Sequence, residues 1–579
     1  MTNISYDNWG QILTQTDPLG NVLSNTYDSW GKLMTSKSNL EGITTYEYKR
    51  DDNSNITIIQ YDSDGDVTKK FTNKIGQNYR TTTKAFDQGQ FVSKDIQYDV
   101  LGRKINESEP YFDGQSPWQW NTIIYDDNFY PTKVTATAFT GKQVETTVSG
   151  LITTVREINN YNKITTKTAD VLGNVVLSTD KGGTIQFAYN AAGDQIRAQY
   201  AENIVTTKYD AWGRKYEFND PSNGLYKYEY DGFGQIKKII SPKGTKEYTY
   251  NNLGQLITQK ELSTSDGGEA TNKLISFSYD DKGRVIAKSG TSKGKAYSSN
   301  ILYDSQGRVL SSSENSNGKY FIQKGITYDD KARVISYEKQ LYSSGVLTKL
   351  QIENIYSSWN GQLSTVKDKN SGRVLWVLQE TNAKGQIVKA NLGRSRILNG
   401  YDNNGFLANI DHQYRLQLEG TPSILQVIYN FDAIKNELSS RITSGDLSIT
   451  ETFEYDDNNR LINWTNPRTG QASQNTYDVK GRITHNDQVG TIKYENSAKI
   501  YQPTGMTLNV AGTQNYNNDL IQSIVYNENN DPVFIDGEKG DVAFQYGLTS
   551  MRQRVTYGGN FNSDGEGKFT KFYRFASKS

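Results

Sequence analysis

The sequence predicts an all-β protein, a long array of β-hairpins, and three observations support this prediction. A phrase of Tyr, then Asp or Asn, two variable residues and Gly recurs at intervals of about 20 residues in its most regular part. Aromatic residues alternate before the turns, as in Tyr228 and Tyr230, which places both side chains on one face of a strand. No stretch sustains the 3.6-residue apolar periodicity of a packed helix.

Each phrase predicts a strand, a tight turn and a second strand. In the turn, Asp accepts a hydrogen bond from the backbone two residues further on, as in a type I turn. The Gly takes a positive φ and forms a bulge before the next strand. The residues assigned to these structural repeat turns are Tyr209, Asp210, Gly213, Tyr230, Asp231, Gly234, Tyr279, Asp280, Gly283, Tyr303, Asp304, Gly307, Tyr477, Asp478 and Gly481.

The composition favours long one-layer sheets over a single large core. Only 35% of the residues are hydrophobic, whereas 12% are aromatic, with 40 Tyr. Lys plus Arg equals Asp plus Glu at 64 each, so no net charge attracts nucleic acid. The absence of Cys excludes disulfides and thiolate metal sites. No secretory signal and no apolar run of about 20 residues, as a membrane helix requires, is visible.

Residues 1–579 are predicted to form one repeat segment with two less regular regions. Around 105–183, three prolines indicate an irregular insertion or a wider turn of the sheet. Around 340–450 the repeats are degenerate. The polar, Gly-rich stretch 260–271 predicts a long hairpin loop.

Two turns carry another residue in place of Gly. Asn459 tolerates positive φ, so it supports the turn assignment. Ala332 would be strained there unless that turn has a different geometry.

Thirteen Tyr-Asp pairs occur along the chain, and most are followed by Gly, then Arg, Gln or Lys, and then an aliphatic residue. Over nearly its whole length the sequence resembles the RHS or YD-repeat family. That family includes the B and C components of Tc toxin complexes, Rhs polymorphic toxins, wall-associated toxins and the YD shell of teneurins. The resemblance implies a sheet that spirals into part of a hollow shell. In the bacterial toxins such a shell holds a toxic C-terminal segment, which an aspartyl self-cleavage releases.

The sequence departs from the family at its C-terminal core. The family closes that core with an Asp-Pro-x-Gly segment, whereas here the segment occurs only at 17–20, where more repeats follow. We expect an ordinary turn there. The pairs Asp220-Pro221 and Asp531-Pro532 lack the Gly. We therefore expect the family core and the toxin to be absent, and we carry over no catalytic protease residue.

Other candidate sites are weak. Residues 62–66 resemble a calcium loop, but Val67 and Asn73 stand where Gly and Glu are required, so no metal site is predicted. His412 and His485 are interpreted as surface or turn residues, since nothing nearby suggests a catalytic triad. The glycines belong to turns and form no phosphate loop, so no cofactor is expected.

Aromatic residues stand in or beside the slot before the turn Gly. We expect each to pack on the neighbouring turn and exclude water. The alternative is a stacking platform for sugars or peptides, with the rings exposed. These residues are Trp9, Trp30, Trp212, Phe233 and Trp359.

The leading hypothesis is a non-catalytic structural segment of an RHS-repeat shell that encapsulates a toxin polypeptide for delivery. Its expected partners are the remainder of a shell, from the same chain or another subunit, and the enclosed toxin. It would act in a secreted or cell-surface toxin assembly. The alternatives are an extracellular adhesion or carbohydrate-binding repeat protein, a self-cleaving protease core, and a truncated gene fragment of a longer Rhs or Tc-type toxin.

Overall fold

The computed structural model describes residues 2–129, 132–263, 272–316, 318–343, 345–414, 423–497, 500–516, 521–548, 551–562, 565 and 567–573. In this part of the chain, 45 strands form one open antiparallel sheet, and five more strands form a second sheet. The all-β prediction is confirmed. A single short helix, α1 (Val510–Tyr516), is the exception, and the side chain of Asn509 caps it by accepting the N–H of Gly512 at 2.7 Å.

The first part of the large sheet comprises Asn3–Tyr6 (β1), Ile12–Thr16 (β2), Val22–Tyr27 (β3), Leu33–Ser38 (β4), Gly42–Arg50 (β5), Ile56–Asp62 (β6), Val67–Thr72 (β7), Asn78–Lys84 (β8), Phe91–Tyr98 (β9), Lys104–Ser108 (β10), Tyr111–Phe112 (β11), Trp120–Tyr125 (β12), Thr132–Thr137 (β13), Gln143–Ser149 (β14), Ile152–Glu157 (β15), Lys163–Ala169 (β16), Val175–Asp180 (β17), Gly183–Tyr189 (β18), Gln195–Tyr200 (β19), Asn203–Tyr209 (β20), Lys215–Asp220 (β21), Gly224–Tyr230 (β22), Ile236–Ser241 (β23), Gly244–Tyr250 (β24), Leu256–Ser263 (β25), Lys273–Tyr279 (β26), Val285–Ser292 (β27) and Lys295–Tyr303 (β28).

It continues with Val309–Ser316 (β29), Lys319–Tyr328 (β30), Val334–Ser343 (β31), Val346–Tyr356 (β32), Leu363–Asp368 (β33), Val374–Thr381 (β34), Ile387–Leu392 (β35), Ser395–Tyr401 (β36), Leu407–Tyr414 (β37), Leu425–Asp432 (β38), Glu437–Gly445 (β39), Ile449–Tyr455 (β40), Leu461–Thr465 (β41), Ala472–Tyr477 (β42), Ile483–Asn486 (β43), Gly490–Lys493 (β44) and Gly505–Leu508 (β45). The second sheet comprises Ile521–Tyr526 (β46), Pro532–Gly537 (β47), Val542–Tyr546 (β48), Arg552–Tyr557 (β49) and Phe569–Phe572 (β50).

Almost every strand pairs with the next one along the chain, which makes the large sheet a continuous meander. At the repeat turns the register shifts by one residue immediately before the Tyr, as between Glu229 and Tyr230. This is the bulge that the turn chemistry predicts. The region around 105–183 contributes β10 to β17 to the same meander. Its departure from the pattern is that β11 pairs back with β9 while β10 pairs with β12.

Because successive strands are antiparallel, their connections alternate between the two long edges of the sheet. We call the edge that carries turns such as 210–213 and 231–234 the turn edge, and the opposite one the loop edge. The segment Tyr61-Asp62 matches the repeat phrase in sequence, yet its turn lies on the loop edge, as does the Asp-Pro-x-Gly turn at 17–20. The hydroxyl of Tyr61 donates to Glu47 rather than to a backbone carbonyl.

The sheet coils so that one edge meets the other. The loop edge of the first coil, β1 to β28, contacts the turn edge of the second coil, β29 to β45. The hydrogen bonds across this seam join residues 267 to 296 positions apart, as in Gln306 to Asn39 and Lys163 to Asn459. One turn of the spiral therefore takes close to half of the chain.

The second sheet continues the contact with the loop edge of the first coil. Asn529, in the turn between β46 and β47, donates to Glu261 of β25. The second sheet also reaches the start of the second coil, where the side chains of Ser316 of β29 and Gln553 of β49 are 3.0 Å apart. Of the loop predicted at 260–271, residues 260–263 instead extend β25, and 264–271 lie outside the described residues.

Candidate functional site: the turn edge and the coil seam

The turn at 231–234 shows the geometry of the repeat. One carboxylate oxygen of Asp231 accepts the backbone N–H groups of Phe233 and Gln235, both at 2.9 Å. The N–H of Gly234 donates to the carbonyl of Asp231 at 3.1 Å, and Gly234 has a φ of 83°. The side chain and backbone of one Asp thus saturate three donors of the turn.

The same pattern recurs at the other assigned turns. Backbone N–H groups two and four residues further on donate to the carboxylates of Asp210, Asp280, Asp304 and Asp478. Asn459 adopts a φ of 60°, in line with the interpretation of that turn. Ala332 keeps both the turn hydrogen bond and a φ of 57°, so the turn retains its geometry despite the strain of a side chain there.

The repeat Tyr ties each turn to the preceding one. The hydroxyl of Tyr230 donates to the carbonyl of Lys215, two residues past Gly213, at 2.7 Å. The hydroxyl of Tyr250 makes the equivalent bond to Ile236 at 2.8 Å. The same bond, to the carbonyl two residues past the positive-φ residue of the preceding turn on the turn edge, is made by Tyr27, Tyr48, Tyr98, Tyr125, Tyr189, Tyr209, Tyr279, Tyr303, Tyr328, Tyr356, Tyr401, Tyr477, Tyr494 and Tyr546.

This bond explains why the repeat uses Tyr before the turn, and it was not predicted from the sequence. Reading Tyr as a packing residue explains the ring but not the hydroxyl. The recurrence of Tyr, with its hydroxyl, at the position directly before the turn was the available signal.

The residue after the turn Gly makes a second link to the next turn. Arg214 donates to Asp210 through Nε at 2.8 Å, and its guanidinium lies 4.6 Å from the centre of the Tyr230 ring. The guanidinium-on-Tyr contact recurs for Arg103, Arg284, Arg308, Arg333, Arg460 and Arg482. Where Gln replaces Arg, it reaches the next turn directly: Gln235 donates to the carbonyl of Gly254 at 2.8 Å.

The Arg also sets the charge state of the turn Asp. Partial burial works to raise the pKa of Asp304, but hydrogen bonds from Arg308 and from backbone N–H groups outweigh it and lower that pKa. Asp329 has a lowered pKa for the same balance of causes, with Arg333 as its partner. These carboxylates serve the turn, and their pKa values move away from those of a general acid or base at neutral pH.

Across the seam, the third residue of several second-coil turns contacts the first coil. The amide of Gln306 donates to the carbonyl of Asn39 at 3.1 Å. Lys384 pairs with Glu109 at 3.0 Å, and Lys480 pairs with Glu202. The seam is therefore joined chiefly by polar and ionic contacts.

Trp359 is the one large aromatic side chain among these third residues. Its indole N–H donates to the carbonyl of Ala85 at 3.1 Å, and its ring packs edge-on against Phe91 with 5.7 Å between ring centres. The ammonium of Lys84 lies 3.8 Å from the ring centre and also donates to the carbonyl of Trp359 at 3.0 Å. This Trp is packed, as expected, but it packs against the other coil and not against the neighbouring turn.

A buried ion pair lies where the second sheet meets the first coil. Lys273 and Glu261 are 1% and 3% exposed, and their charged atoms are 3.1 Å apart. Asn529 donates to the same carboxylate at 2.8 Å. Burial works to raise the pKa of Glu261, but the charge of Lys273 and these hydrogen bonds lower it.

The other turn aromatics contradict the packing expectation. Trp9 is 76% exposed, Trp30 and Trp212 are 83% exposed, and Phe233 is 95% exposed. The reason is topological: these turns lie on the turn edge of the first coil, whereas the described second coil contacts only the loop edge.

The remaining candidate residues are His412, His485 and the acidic groups considered for metal binding. Within the described ranges, no three His, Asp or Glu side chains are placed to hold a metal ion. His485 lies in β43, 3.3 Å from Asp487, and His412 lies in β37. No helix in the described part of the chain is long and apolar enough to cross a membrane.

Comparisons with known proteins agree with this geometry. A family model described as the teneurin YD-shell matches residues 132–343. A crystal structure of TcdB2-TccC3 without its hypervariable C-terminal region superposes with a TM-score of 0.55 at 12% identity, covering 96% of this chain and 37% of that one. Residues 132–343 of this chain match the YD-shell family, and the repeat phrase continues on both sides of them. The resemblance seen in the sequence is confirmed.

A Photorhabdus luminescens Tc holotoxin pore carrying a TccC3 substitution superposes on the YD-repeat array with a TM-score of 0.57, and TcdB2-TccC3-TEV with 0.51, both at 12% identity. These matches cover 96% of the array and 37% and 33% of the longer chains. At this identity the likeness establishes the fold. No curated protein matches the sequence.

Proposed function

We propose that this YD-repeat array is a non-catalytic structural segment of a shell wall that encloses a toxin polypeptide for delivery. The observation that carries the proposal is the seam, because two coils of one continuous sheet join edge to edge. A sheet that closes its own gaps in this way makes a wall. The fold likeness to Tc toxin shells and the YD-shell match support a structural role.

In this proposal the wall acts by containment. A continuous hydrogen-bonded sheet leaves no gap through which a protease could reach an enclosed chain. The turn carboxylates and arginines form hydrogen bonds and ion pairs within the wall, so in this proposal their role is to stabilise it and not to catalyse a reaction. The remainder of a shell, from the same polypeptide or a partner subunit, would complete the enclosure, and the assembly would act outside the producing cell.

Electron cryomicroscopy of the purified chain tests the proposal. We expect density for a curved one-layer wall around a solvent-filled lumen. Density for a solid interior, with sheets packed face to face at about 10 Å, would refute containment.

A second candidate, an adhesion or carbohydrate-binding surface, is favoured by one observation: Trp9, Trp30, Trp212 and Phe233 are exposed, as a stacking platform requires. A sugar site also needs converging hydrogen-bonding groups beside the rings. The test is a glycan array with the parent chain and Trp212→Ala. Binding that is lost in the variant would support this function, and an array without signal would remove it.

A further inference from the structure

The ladder of the wall is interrupted at one place in the described part of the chain. β45 pairs with β44 and β46 pairs with β47, but β45 and β46 do not pair with each other, so the large sheet ends where the second sheet begins. At β11, the other departure from the regular order, the wall stays closed because β10 pairs with β12. We call the interval between β45 and β46 the sheet break. Among the described strands, each of these two has one side without a ladder, and that side faces the break.

The sheet break lies inside the wall. On one side of it, Lys480, in the turn before β43, pairs with Glu202 in the loop between β19 and β20. On the other side, the amide of Asn530, in the turn between β46 and β47, donates to Asn223 in the loop between β21 and β22 at 3.3 Å. These are consecutive loops of the first coil. The first coil therefore holds both flanks of the break in one wall, and the two unpaired edges are internal to it.

Neither edge carries the charged residues or Pro with which natural sheets block further pairing. β45 reads Gly-Met-Thr-Leu, and β46 reads Ile-Gln-Ser-Ile-Val-Tyr. No residue of either strand is charged, although 22% of the chain is. Met506, Ile521 and Ile524 are 42%, 49% and 39% exposed. Uncharged edges without Pro accept the backbone of another strand.

The backbone of β46 presents hydrogen-bonding groups to the break. The N–H of Asn527 donates to the carbonyl of Asp531, which leads into β47, at 2.9 Å. The register shift before Tyr526 is taken up by an extra residue in β47, so β46 itself stays regular there. In a regular strand the backbone groups of alternate residues point to the same side. The N–H and C=O of Val525 therefore face β47, and those of Ile524 and Tyr526 face the break.

From these observations we propose that the sheet break binds an extended segment of a partner polypeptide, which enters as an added strand between β45 and β46. Its backbone hydrogen-bonds to both edges and joins the two sheets into one ladder. Because the edges are uncharged and expose aliphatic side chains, the segment that fits is uncharged and rich in β-branched residues. Two ladders form here, whereas the free side of β1 offers only one.

Fluorescence anisotropy with the full chain and a synthetic peptide tests the proposal. The probe is a short fluorescein-labelled peptide of alternating Thr and Val residues, with a Lys pair at one end for solubility. We expect saturable binding of one peptide per chain with a Kd of about 1–100 µM. The same peptide, N-methylated at every second residue, lacks the donors towards one edge. It should bind at least about tenfold more weakly.

Two matched Pro variants locate the site. Ile524→Pro removes an N–H that faces the break and leaves the ladder with β47 intact, so it should weaken binding at least about tenfold. Ile4→Pro is the same substitution two residues before the repeat Tyr of β1. The N–H of Ile4 also faces an unpaired side, since Asp7 donates to Gln11 on the β2 side. This variant should bind the peptide within about twofold of the parent. Unchanged circular dichroism and melting temperature show that both variants fold.

Disulfide capture tests the β45 side of the break, because the chain has no Cys of its own. The probe is then the same peptide with a central Cys, and glutathione disulfide is the oxidant. Met506→Cys should capture this peptide. Val346→Cys, at an even more exposed apolar position in β32, should not. This measurement stands whether or not Ile524→Pro folds.

Four results would overturn the proposal. The first is no saturable binding of the peptide to the parent chain. The second is equal binding of the N-methylated peptide, which would show that backbone hydrogen bonds do not hold it. The third is an equal loss in the two Pro variants, or equal capture by the two Cys variants, which would indicate general edge or surface binding. The fourth is self-association of the parent that Ile524→Pro abolishes, which would show that a second copy of the chain occupies the edge.

Discussion

The turn edge of the first coil and the turn edge of the second coil are made by the same turn and differ at its third residue. In the first coil this residue is Trp212 or Phe233 and is exposed. In the second coil it is Gln306 or Lys384 and contacts the other coil. The comparison teaches that the repeat phrase builds the edge, while one variable position within it decides what the edge binds.

Breaking the buried ion pair at the junction of the second sheet should have the largest effect. Lys273→Met leaves the buried carboxylate of Glu261 with only the more distant Lys246, at 4.0 Å, as a counter-charge, and we expect a loss of about 3 kcal/mol or more in the free energy of unfolding. Urea unfolding followed by fluorescence measures it. The exposed pair Lys208–Glu217 is the control, and Lys208→Met should change stability by less than about 1 kcal/mol. Equal losses at the two sites would contradict the role of burial.

The two kinds of Trp provide the sharpest test of the comparison. Trp359→Ala removes the indole that packs between the coils, and we expect a loss of about 2–3 kcal/mol. Trp212→Ala is the same substitution at the same turn position on the free edge, and should change stability by no more than about 0.5 kcal/mol. Both are measured by urea unfolding at a concentration where the parent chain is monomeric. If Trp212→Ala costs as much as Trp359→Ala, the first-coil edge is covered after all.

Substitutions at the positive-φ position of the turn should change stability in opposite directions at Gly234 of the first coil and Ala332 of the second coil. Gly234→Val should destabilise by about 1–2 kcal/mol, because a β-branched residue resists positive φ. The loss would be conformational, since the nearest atom to an added Cβ is 3.6 Å away. Ala332→Gly should stabilise by about 0.5–1 kcal/mol, because it removes the existing strain. Thermal melting measures both, and a destabilising Ala332→Gly would show that the strain is not there.

Protonation of the turn carboxylates at low pH should have the smallest effect on stability per turn. The pKa values of Asp304 and Asp329 are lower in the fold than the ordinary value of 3.8. Their contribution is therefore complete above that value and is lost as pH falls through the lowered pKa. We expect the melting temperature to drop below about pH 4, and Asp329→Asn to make this drop slightly shallower. If the melting temperature of the variant falls with pH as steeply as that of the parent, the carboxylate of Asp329 does not stabilise this turn.

Most of the repeat could be predicted because its causes are local. The Asp-x-x-Gly chemistry and the alternation of Tyr228 and Tyr230 act within a few residues, so one sequence contains them. The positive φ of Asn459 followed from the same reasoning. The Tyr hydroxyl bond and the Arg–Tyr stacking span one repeat, and they became evident only once the register of neighbouring strands was known.

The exposure of the turn aromatics could not be predicted. Trp359 and Trp212 each stand third in a repeat turn, and their different environments depend on contacts made across the seam. The position of Tyr61 is a further example: its phrase is the repeat phrase, but the number of strands before it places its turn on the loop edge.

By itself, the sequence determined that this chain is an all-β array of repeated hairpins, because turn chemistry and strand alternation are short-range effects. Only the tertiary structure decided which edge of the sheet is covered and which is free. That outcome depends on how twist and register accumulate over a whole coil, so that residues nearly 300 positions apart become neighbours.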